Sequence, residues 1–197
     1  MTGPVATPTP SQVEKYLEKW RAQGNESSDS ALRLLFKTMP KNVDPGQVAV
    51  KVAALNGLYA TSIYGVVQMA HHIVELDIDD ALAAEVADPQ LVEKIAHLTL
   101  QAKTRRHYSF ATKYCSFHRP DRYPIYDSLV VEVLNALLNQ GEEFDTFAPG
   151  EHWRADYGVY CRSIEGLRSH FGLEDLSIRD IDKYLWMLAK ERRGSGA

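Results

Sequence analysis

Signals that begin and end helices recur along almost the entire chain, and they constrain its fold more than any other feature. Ser11 and Glu14 match a capping box, and Asp44 precedes a proline at the first position of a predicted helix. Gly24 and Gly172 follow runs whose apolar residues are spaced three and four apart, as expected where a helix ends. The pattern predicts an all-α fold of eight to ten helices, and it gives no convincing strand.

The predicted helices suggest one compact domain. A length of 197 residues fits a single domain, and no internal repeat divides it. Residues 79–87 and 89–102 are interpreted as two helices separated at Asp88-Pro89. We therefore predict a single helical domain over residues 11–192. Residues 1–10 and 193–197 are predicted to be disordered tails.

Composition excludes some classes of protein. Hydrophobic residues make up 45% of the chain and charged residues 24%, which is typical of a soluble globular protein. No apolar run is long enough for a transmembrane helix, and the first residues lack the pattern of a secretory signal. Cys115 and Cys161 form no CxxC pair, so they fit free thiols in a reducing compartment. These features predict a cytoplasmic protein with no membrane partner.

Charge is distributed unevenly along the chain. Residues 101–122 carry six basic side chains and one acidic side chain, a net charge of six minus one, or +5. The whole chain has a net charge of −4, so the rest sums to −9, and residues 75–94 alone carry seven acids against one lysine. A basic island on an acidic body can bind an anion locally. Alternatively, the basic and acidic segments lie close together and neutralise each other.

The chain lacks the common motifs for nucleotides, metals and nucleophilic serines. It contains no GxGxxG, P-loop, HExxH, GxSxG or zinc-type cysteine pattern. The seven histidines are scattered. His71 and His72 are adjacent, so on a helix they point about 100° apart and cannot easily share a metal. We predict no cofactor and no metal.

The stretch "SFATKYCSFHRPDRYPIYDS", residues 109–128, concentrates aromatic and basic residues. It predicts a short aromatic helix, a turn fixed by Pro120 and Pro124, and Asp127 at the N-cap of the next helix. Capping alone explains this aspartate without any catalysis. Tyr123 and Tyr126 are expected either in the core or against a nucleic-acid base.

Within this region, "FHRPDRYPIYDSLVVEVL" resembles helix-hairpin-helix DNA glycosylases of the 8-oxoguanine glycosylase and endonuclease III branches. In those enzymes a helix ends, a proline turn follows, and a catalytic aspartate caps the next helix. By this resemblance Pro124 corresponds to the family proline. Asp127 corresponds to the aspartate that stabilises positive charge at the sugar carbon or activates the nucleophile. The resemblance implies a glycosylase-like helical architecture, with damaged or base-flipped DNA as the partner.

Departures from the family limit the expected reaction. "KTRRHYS" stands where the family has a glycine hairpin that binds DNA phosphate through its backbone. Lys103 lies slightly before the position of the family's lysine nucleophile, and Lys113 lies about two turns after it. No lyase step is therefore expected, although Lys113 is kept as a second catalytic candidate beside Asp127. The four-cysteine loop of an iron–sulfur cluster is absent.

Three hypotheses follow from these observations. The first is a monofunctional DNA glycosylase that needs only Asp127 and water. The second is a non-catalytic module on a helical scaffold that binds nucleic acid or an acidic partner. The third is an unrelated helical protein whose aromatic segment forms a core or an interface. The expected nucleic-acid contacts are Lys103, Arg105, Arg106, His107, Ser109, Arg119 and Arg122. The residues expected to stack on a base are Tyr123, Tyr126 and Trp153.

Overall fold

A computed structural model describes residues 4–100, 103–144 and 152–194, with the backbone alone at Leu100 and Lys103. The predicted all-α class is confirmed: the protein is about 66% helical, with ten helices in the described ranges. The helices are α1 (Pro10–Ala22), α2 (Asn25–Thr38), α3 (Pro45–Tyr59), α4 (Val66–Glu75), α5 (Asp79–Ala83), α6 (Pro89–Ala96), α7 (Tyr108–His118), α8 (Ser128–Asn139), α9 (Tyr157–His170) and α10 (Ile178–Gly194).

A small antiparallel ribbon corrects the prediction of no strand. The helix predicted over residues 89–102 ends at Ala96, and β1 (His97–Leu100) pairs with β2 (Lys103–Arg106). The side chains of β1 alternate between buried and exposed, as expected for a half-buried strand, because Leu98 is buried and Thr99 is exposed. Thr99 and Thr104 face each other in register, with their hydroxyl oxygens 2.8 Å apart. The alternation is too short to be recognised in the sequence against a preceding helical pattern.

The start of the chain also differs from the prediction. Thr9, and not Ser11, is the N-cap of α1, since its hydroxyl oxygen accepts a hydrogen bond from the Gln12 amide at 3.2 Å. Pro10 occupies the first helical position, where its missing amide hydrogen is not needed. Val5 lies within the segment predicted as a tail, yet it is buried, and its carbonyl accepts a hydrogen bond from the Gln140 side chain at 2.9 Å.

The described helices fall into two compact units. The first comprises residues up to Glu26 together with Pro124 onward, and the second comprises Ser27–Tyr123. The prediction of one domain over residues 11–192 stays a prediction. Cys115 lies in the second unit and Cys161 in the first, and both are free thiols, as predicted.

In the first unit, α10 is the central helix. It packs against both α1 and α8, and it buries apolar residues along most of its length. The buried residues of α10 include Ile181, Leu185 and Leu188, which are spaced four and three apart. This packing fixes the start of α8, where Asp127 lies.

In the second unit, α7 is the central helix. It packs against α3 and α6, and every residue from Tyr108 to Phe117 except Ser109 is buried. A helix buried on all sides is normally apolar, but α7 also buries the polar side chains of Thr112, Lys113 and Ser116. These polar groups need internal partners.

Candidate functional site

Asp127 is the N-cap of α8, as predicted. Its backbone is extended, and its carboxylate accepts a hydrogen bond from the Leu129 amide at 3.0 Å. The preceding backbone is held by buried side chains of the same unit: the Tyr157 hydroxyl donates to the Pro124 carbonyl at 2.8 Å. The Tyr160 hydroxyl donates to the Ile125 carbonyl at 2.8 Å. Two tyrosines of α9 therefore hold the backbone that precedes Asp127.

A basic residue influences the same end of α8. Arg193 forms an ion pair with Glu132, and the Glu132 hydrogen bond raises the pKa of Arg193, with a smaller contribution from the charge of Asp127. Asp127 is half-buried. The cap thus keeps some exposure, and it lies within the electrostatic reach of a cation.

The predicted stacking residues have different environments. Tyr123 and Trp153 are buried: the Asp88 amide donates to the Tyr123 hydroxyl at 3.0 Å, and the Trp153 indole donates to the Ser163 hydroxyl at 2.5 Å. Neither ring presents an open face for a base. Tyr126 is half-buried and packs edge-on against Tyr160, with ring centroids 5.3 Å apart.

The basic island of residues 101–122 is partly neutralised, as one of the two alternatives predicted. Arg106 makes two parallel hydrogen bonds to the Glu93 carboxylate, at 3.0 and 2.5 Å, and its guanidinium lies 3.9 Å from the Tyr108 ring centre. The pair joins the basic segment to the acidic segment 75–94. Arg105 is exposed, and the side chain of Lys103 lies outside the described part of the chain.

Other predicted contacts on the island are internal. Lys113 is buried, and its ammonium donates to the Ser109 hydroxyl at 2.5 Å. Arg122 donates to the Asp121 carboxylate at 3.0 Å. His107 precedes α7, and burial lowers its pKa, with a further lowering by Arg105. Lys113 belongs to the second unit and Asp127 to the first.

A cavity of about 530 Å³ opens in the second unit between the C-terminal parts of α2 and α7 and the short α5. Four cationic side chains line it, against the single carboxylate of Asp79. Four minus one gives a formal charge of +3 for the lining. The cationic residues are Arg33, Lys37, Lys41 and Arg119. We call this cavity the cationic pocket.

Two of the cations are oriented by neighbouring groups of the same unit. Arg119 donates to the Leu82 carbonyl at 2.7 Å and lies 3.4 Å from the Asp121 carboxylate. Arg33 forms an ion pair with Asp29, one turn earlier on α2, at 3.2 Å. Lys37, the next residue on this helix face, is exposed.

Apolar groups form most of the rest of the cationic pocket. Phe36, Phe117 and Leu82 are buried and contribute to its wall, together with Pro40 and Pro120 at its margin. Positive charge next to apolar surface suits a ligand that carries both an anionic group and a flat or apolar part.

A buried lysine lies behind the wall of the cationic pocket. The Lys51 ammonium donates to the carbonyls of Met39 and Lys41, at 3.1 and 3.0 Å, and to the Asn42 side-chain oxygen at 2.6 Å. These three acceptors match its three hydrogens. The Nε2 atom of His118, which lines the pocket, is 3.3 Å from the same ammonium.

Burial changes the protonation of both groups. It lowers the pKa of Lys51 to about 8, with Asp79 acting in the opposite direction. It also lowers the pKa of His118 to about 3, helped by the charge of Lys51 and opposed by Asp79. At neutral pH the lysine is therefore charged and the histidine is neutral.

Sequence reasoning identified only part of this arrangement. Arg119 is the one predicted nucleic-acid contact that lines the cationic pocket within the described residues. Arg33, Lys37 and Lys41 were missed, although they are spaced four residues apart. That spacing places Arg33 and Lys37 on one face of α2, and it is the signal that could have found these two, whereas Lys41 follows the end of the helix.

No group of three His, Cys, Asp or Glu side chains that could hold a metal ion is found in the described ranges. Among the helices described, none has the length and apolar character needed to cross a membrane.

Comparison with known proteins gives a family and a relative. The family model HI_0787_N, described as an N-terminal domain, matches residues 12–122, more than half of the chain. A protein of Haemophilus influenzae, described only as uncharacterized, is 36% identical over 137 residues, which is 69% of this chain. The match spans 63% of that relative's length. No solved structure matches the chain significantly. Every residue that lines the cationic pocket falls within the range matched by the family model.

Proposed function

We propose that this chain, which belongs to the family described as HI_0787_N, N-terminal domain, is a non-catalytic module that binds nucleic acid through the cationic pocket of its second unit. The observation that carries the proposal is the lining of that pocket, with four cations against one carboxylate around a cavity of about 530 Å³.

The chemistry of the cationic pocket favours a phosphate-bearing strand over an acidic peptide. Arg33 and Arg119 offer planar, fork-shaped donors that match phosphate oxygens. The apolar wall that includes Phe117 suits the flat face or edge of a base, which an acidic side chain lacks. The overall charge of −4 repels nucleic acid elsewhere, so binding would be local and weak at high salt.

Binding to a labelled single strand of about 12 nucleotides tests the proposal. If the four cations each neutralise one phosphate, the logarithm of affinity should fall against the logarithm of salt concentration with a slope of about −3. Fluorescence anisotropy between about 50 and 200 mM salt measures this slope.

Charge reversal at one residue provides the matched comparison. Lys37→Glu should weaken binding roughly tenfold, because it replaces an attractive charge near the phosphate by a repulsive one. Lys94→Glu is the control, since Lys94 is also exposed in the last turn of a helix in the same unit but does not line the pocket. Equal losses from the two variants would exclude the pocket as the binding site. Tighter binding of polyglutamate than of the strand would exclude nucleic acid as the preferred ligand.

Base excision by Asp127 is a second candidate function. Its support is the position of Asp127 at the N-cap of α8, after a proline turn, as the resemblance to helix-hairpin-helix glycosylases implies. Asp127→Asn keeps a capping oxygen and should fold normally, yet it should abolish base release from a lesion-bearing duplex. Unchanged release by this variant, or no release by the native protein across a panel of lesions, would eliminate the candidate.

A further inference from the structure

Asp79 is the acidic residue in the lining of the cationic pocket, and its position calls for a hydrogen-bond donor on the ligand. A carboxylate repels a phosphate held nearby, and a hydrogen bond from another group of the ligand would offset this repulsion. Its side chain is 14% exposed, so it is accessible to a ligand but is not freely hydrated. Its role depends on how the carboxylate is held.

Asn42 holds the Asp79 carboxylate from one side. The Asn42 side-chain nitrogen donates to Oδ1 of Asp79 at 2.7 Å, and the Asn42 amide lies 3.2 and 3.3 Å from the two carboxylate oxygens. The amide side chain cannot turn around, because its oxygen already accepts from Lys51 and from the Tyr114 hydroxyl, each at 2.6 Å. Since lysine can only donate, these bonds fix which end of Asn42 faces Asp79.

The two oxygens of Asp79 are consequently unequal. Oδ1 receives the short bond from Asn42, whereas the contacts of Oδ2 with the described residues are the 3.3 Å amide contact and a 3.8 Å ion pair with Lys41. A carboxylate offers about four acceptor positions, so Oδ2 keeps capacity for a further donor. The geometry provides a prepared acceptor beside four cations.

A sugar hydroxyl is the donor that a nucleic-acid ligand carries next to its phosphates. We infer that Asp79 accepts a hydrogen bond from the ribose 2′-hydroxyl, and that the cationic pocket selects ribonucleotides over deoxyribonucleotides. This inference rests on the proposed nucleic-acid binding and names the class of ligand. The 2′-hydroxyl is the group by which a protein distinguishes RNA from DNA, and a site built to bind a hydroxyl discriminates strongly against analogues that lack it.

The native protein and chemically matched strands provide the test. Oligouridine and oligodeoxyuridine of equal length differ at the 2′ position, and 2′-O-methyl oligouridine keeps the oxygen but cannot donate. The expected result is at least about tenfold tighter binding of oligouridine than of either other strand, as for a hydrogen bond to a charged group. Equal binding of the three strands would overturn the inference and leave the proposed function intact. No binding of any strand would overturn both.

Asp79→Asn identifies the residue responsible. It should reduce the preference for oligouridine to less than about threefold, and it should strengthen the binding of oligodeoxyuridine, because a repulsive charge is removed from the pocket. A preference that survives in a folded Asp79→Asn variant would overturn the assignment to Asp79. If that variant does not fold, by circular dichroism, the 2′-substituted strands still decide whether a hydroxyl donor is recognised.

Free nucleotides distinguish the source of the recognised group. Uridine monophosphate and deoxyuridine monophosphate are added as competitors against labelled oligouridine. If uridine monophosphate displaces labelled oligouridine more strongly than deoxyuridine monophosphate does, the inference is supported and a single nucleotide is a sufficient ligand. Displacement by unlabelled oligouridine alone supports it with a strand as the ligand, and stronger displacement by the deoxyribonucleotide would overturn it.

Discussion

Raising the pH from 8 to 10 is expected to stabilise the second unit, because its buried Lys51 then loses its charge. Lys51 is fully buried, and burial lowers its pKa from 10.5 to about 8. The unfolded chain keeps the proton until about pH 10.5, so between these values the unfolded state binds one more proton than the folded state. Unfolding free energy then increases with pH, by about 1.4 kcal/mol per pH unit.

The contribution expected from Lys51 between pH 8 and pH 10 is about 2 kcal/mol, because the folded lysine is still half protonated at pH 8. The full penalty of the charged lysine is present below pH 8 and is relieved as the pH rises toward 10.5. Groups whose pKa is raised by burial act in the opposite direction: Cys161 of the first unit does so above about pH 9, and tyrosines such as Tyr114 do so above about pH 10. Both groups remain in variants at Lys51, so comparison with those variants isolates the contribution of the lysine. Measurements should therefore stop at pH 10.

Urea unfolding followed by circular dichroism, at intervals from pH 7 to pH 10, measures this change. Lys51→Met removes the titrating group. A plot of its unfolding free energy against pH should therefore lack the increase above pH 8, whatever the absolute stability of the variant. Lys51→Arg is a second reference, since arginine cannot be deprotonated in this range. If the unfolding free energy of the native protein changed with pH in the same way as that of both variants, the assigned pKa of Lys51 and the charge state inferred from it would be refuted.

Three further outcomes are expected. Stability should decrease as the pH falls from 6.5 toward 3, because the folded state resists protonation of His118; His118→Gln should reduce this dependence in acid titration. Asp127→Ala should lower the unfolding free energy by about 1 kcal/mol through loss of the cap, whereas Asp127→Asn should change it little in urea unfolding. Gly166→Ala should lower the melting temperature, because its new Cβ would lie 2.2 Å from the Phe144 carbonyl oxygen. Gly57→Ala lies on a helix with open space around it and should raise stability by about 0.5–1 kcal/mol. Equal effects of the two substitutions on the melting temperature would contradict this difference in packing.

Helix boundaries were predictable where one residue's own side chain or backbone determines them. Asp44 caps α3 by accepting from the Gln47 amide at 2.7 Å, and Asp127 caps α8 in the same way. Gly172 has a φ of 63° after α9, a conformation that glycine adopts without strain. These contacts lie within three residues of the signal, so a single sequence contains all of the information.

The ribbon and the cationic pocket were not predictable because both depend on distant partners. A four-residue strand such as β1 is stabilised only when β2 pairs with it, and the helical pattern of α6 before it dominates the local signal. The charge pattern shows which cations exist but not which acids neutralise them. Arg106 is neutralised by Glu93, whereas Arg33 and Arg119, far apart in sequence, line the same cavity.

The position of Lys51 supports a role for the cationic pocket beyond stability. A charged lysine with its pKa lowered to about 8 destabilises the folded state by about 3 kcal/mol at neutral pH. Buried charges of this kind are weak evidence for stability, because an apolar side chain of similar volume often packs as well. Lys51 nevertheless fixes the Asn42 side chain, which holds Asp79 at the wall of the pocket. Lys51 lowers stability and yet orients residues of the pocket, and this combination is expected where those residues bind a ligand. Lys51 should thus affect ligand affinity and selectivity through Asp79 without contacting the ligand, and Lys51→Met should reduce the preference for oligouridine even under conditions where the variant is fully folded.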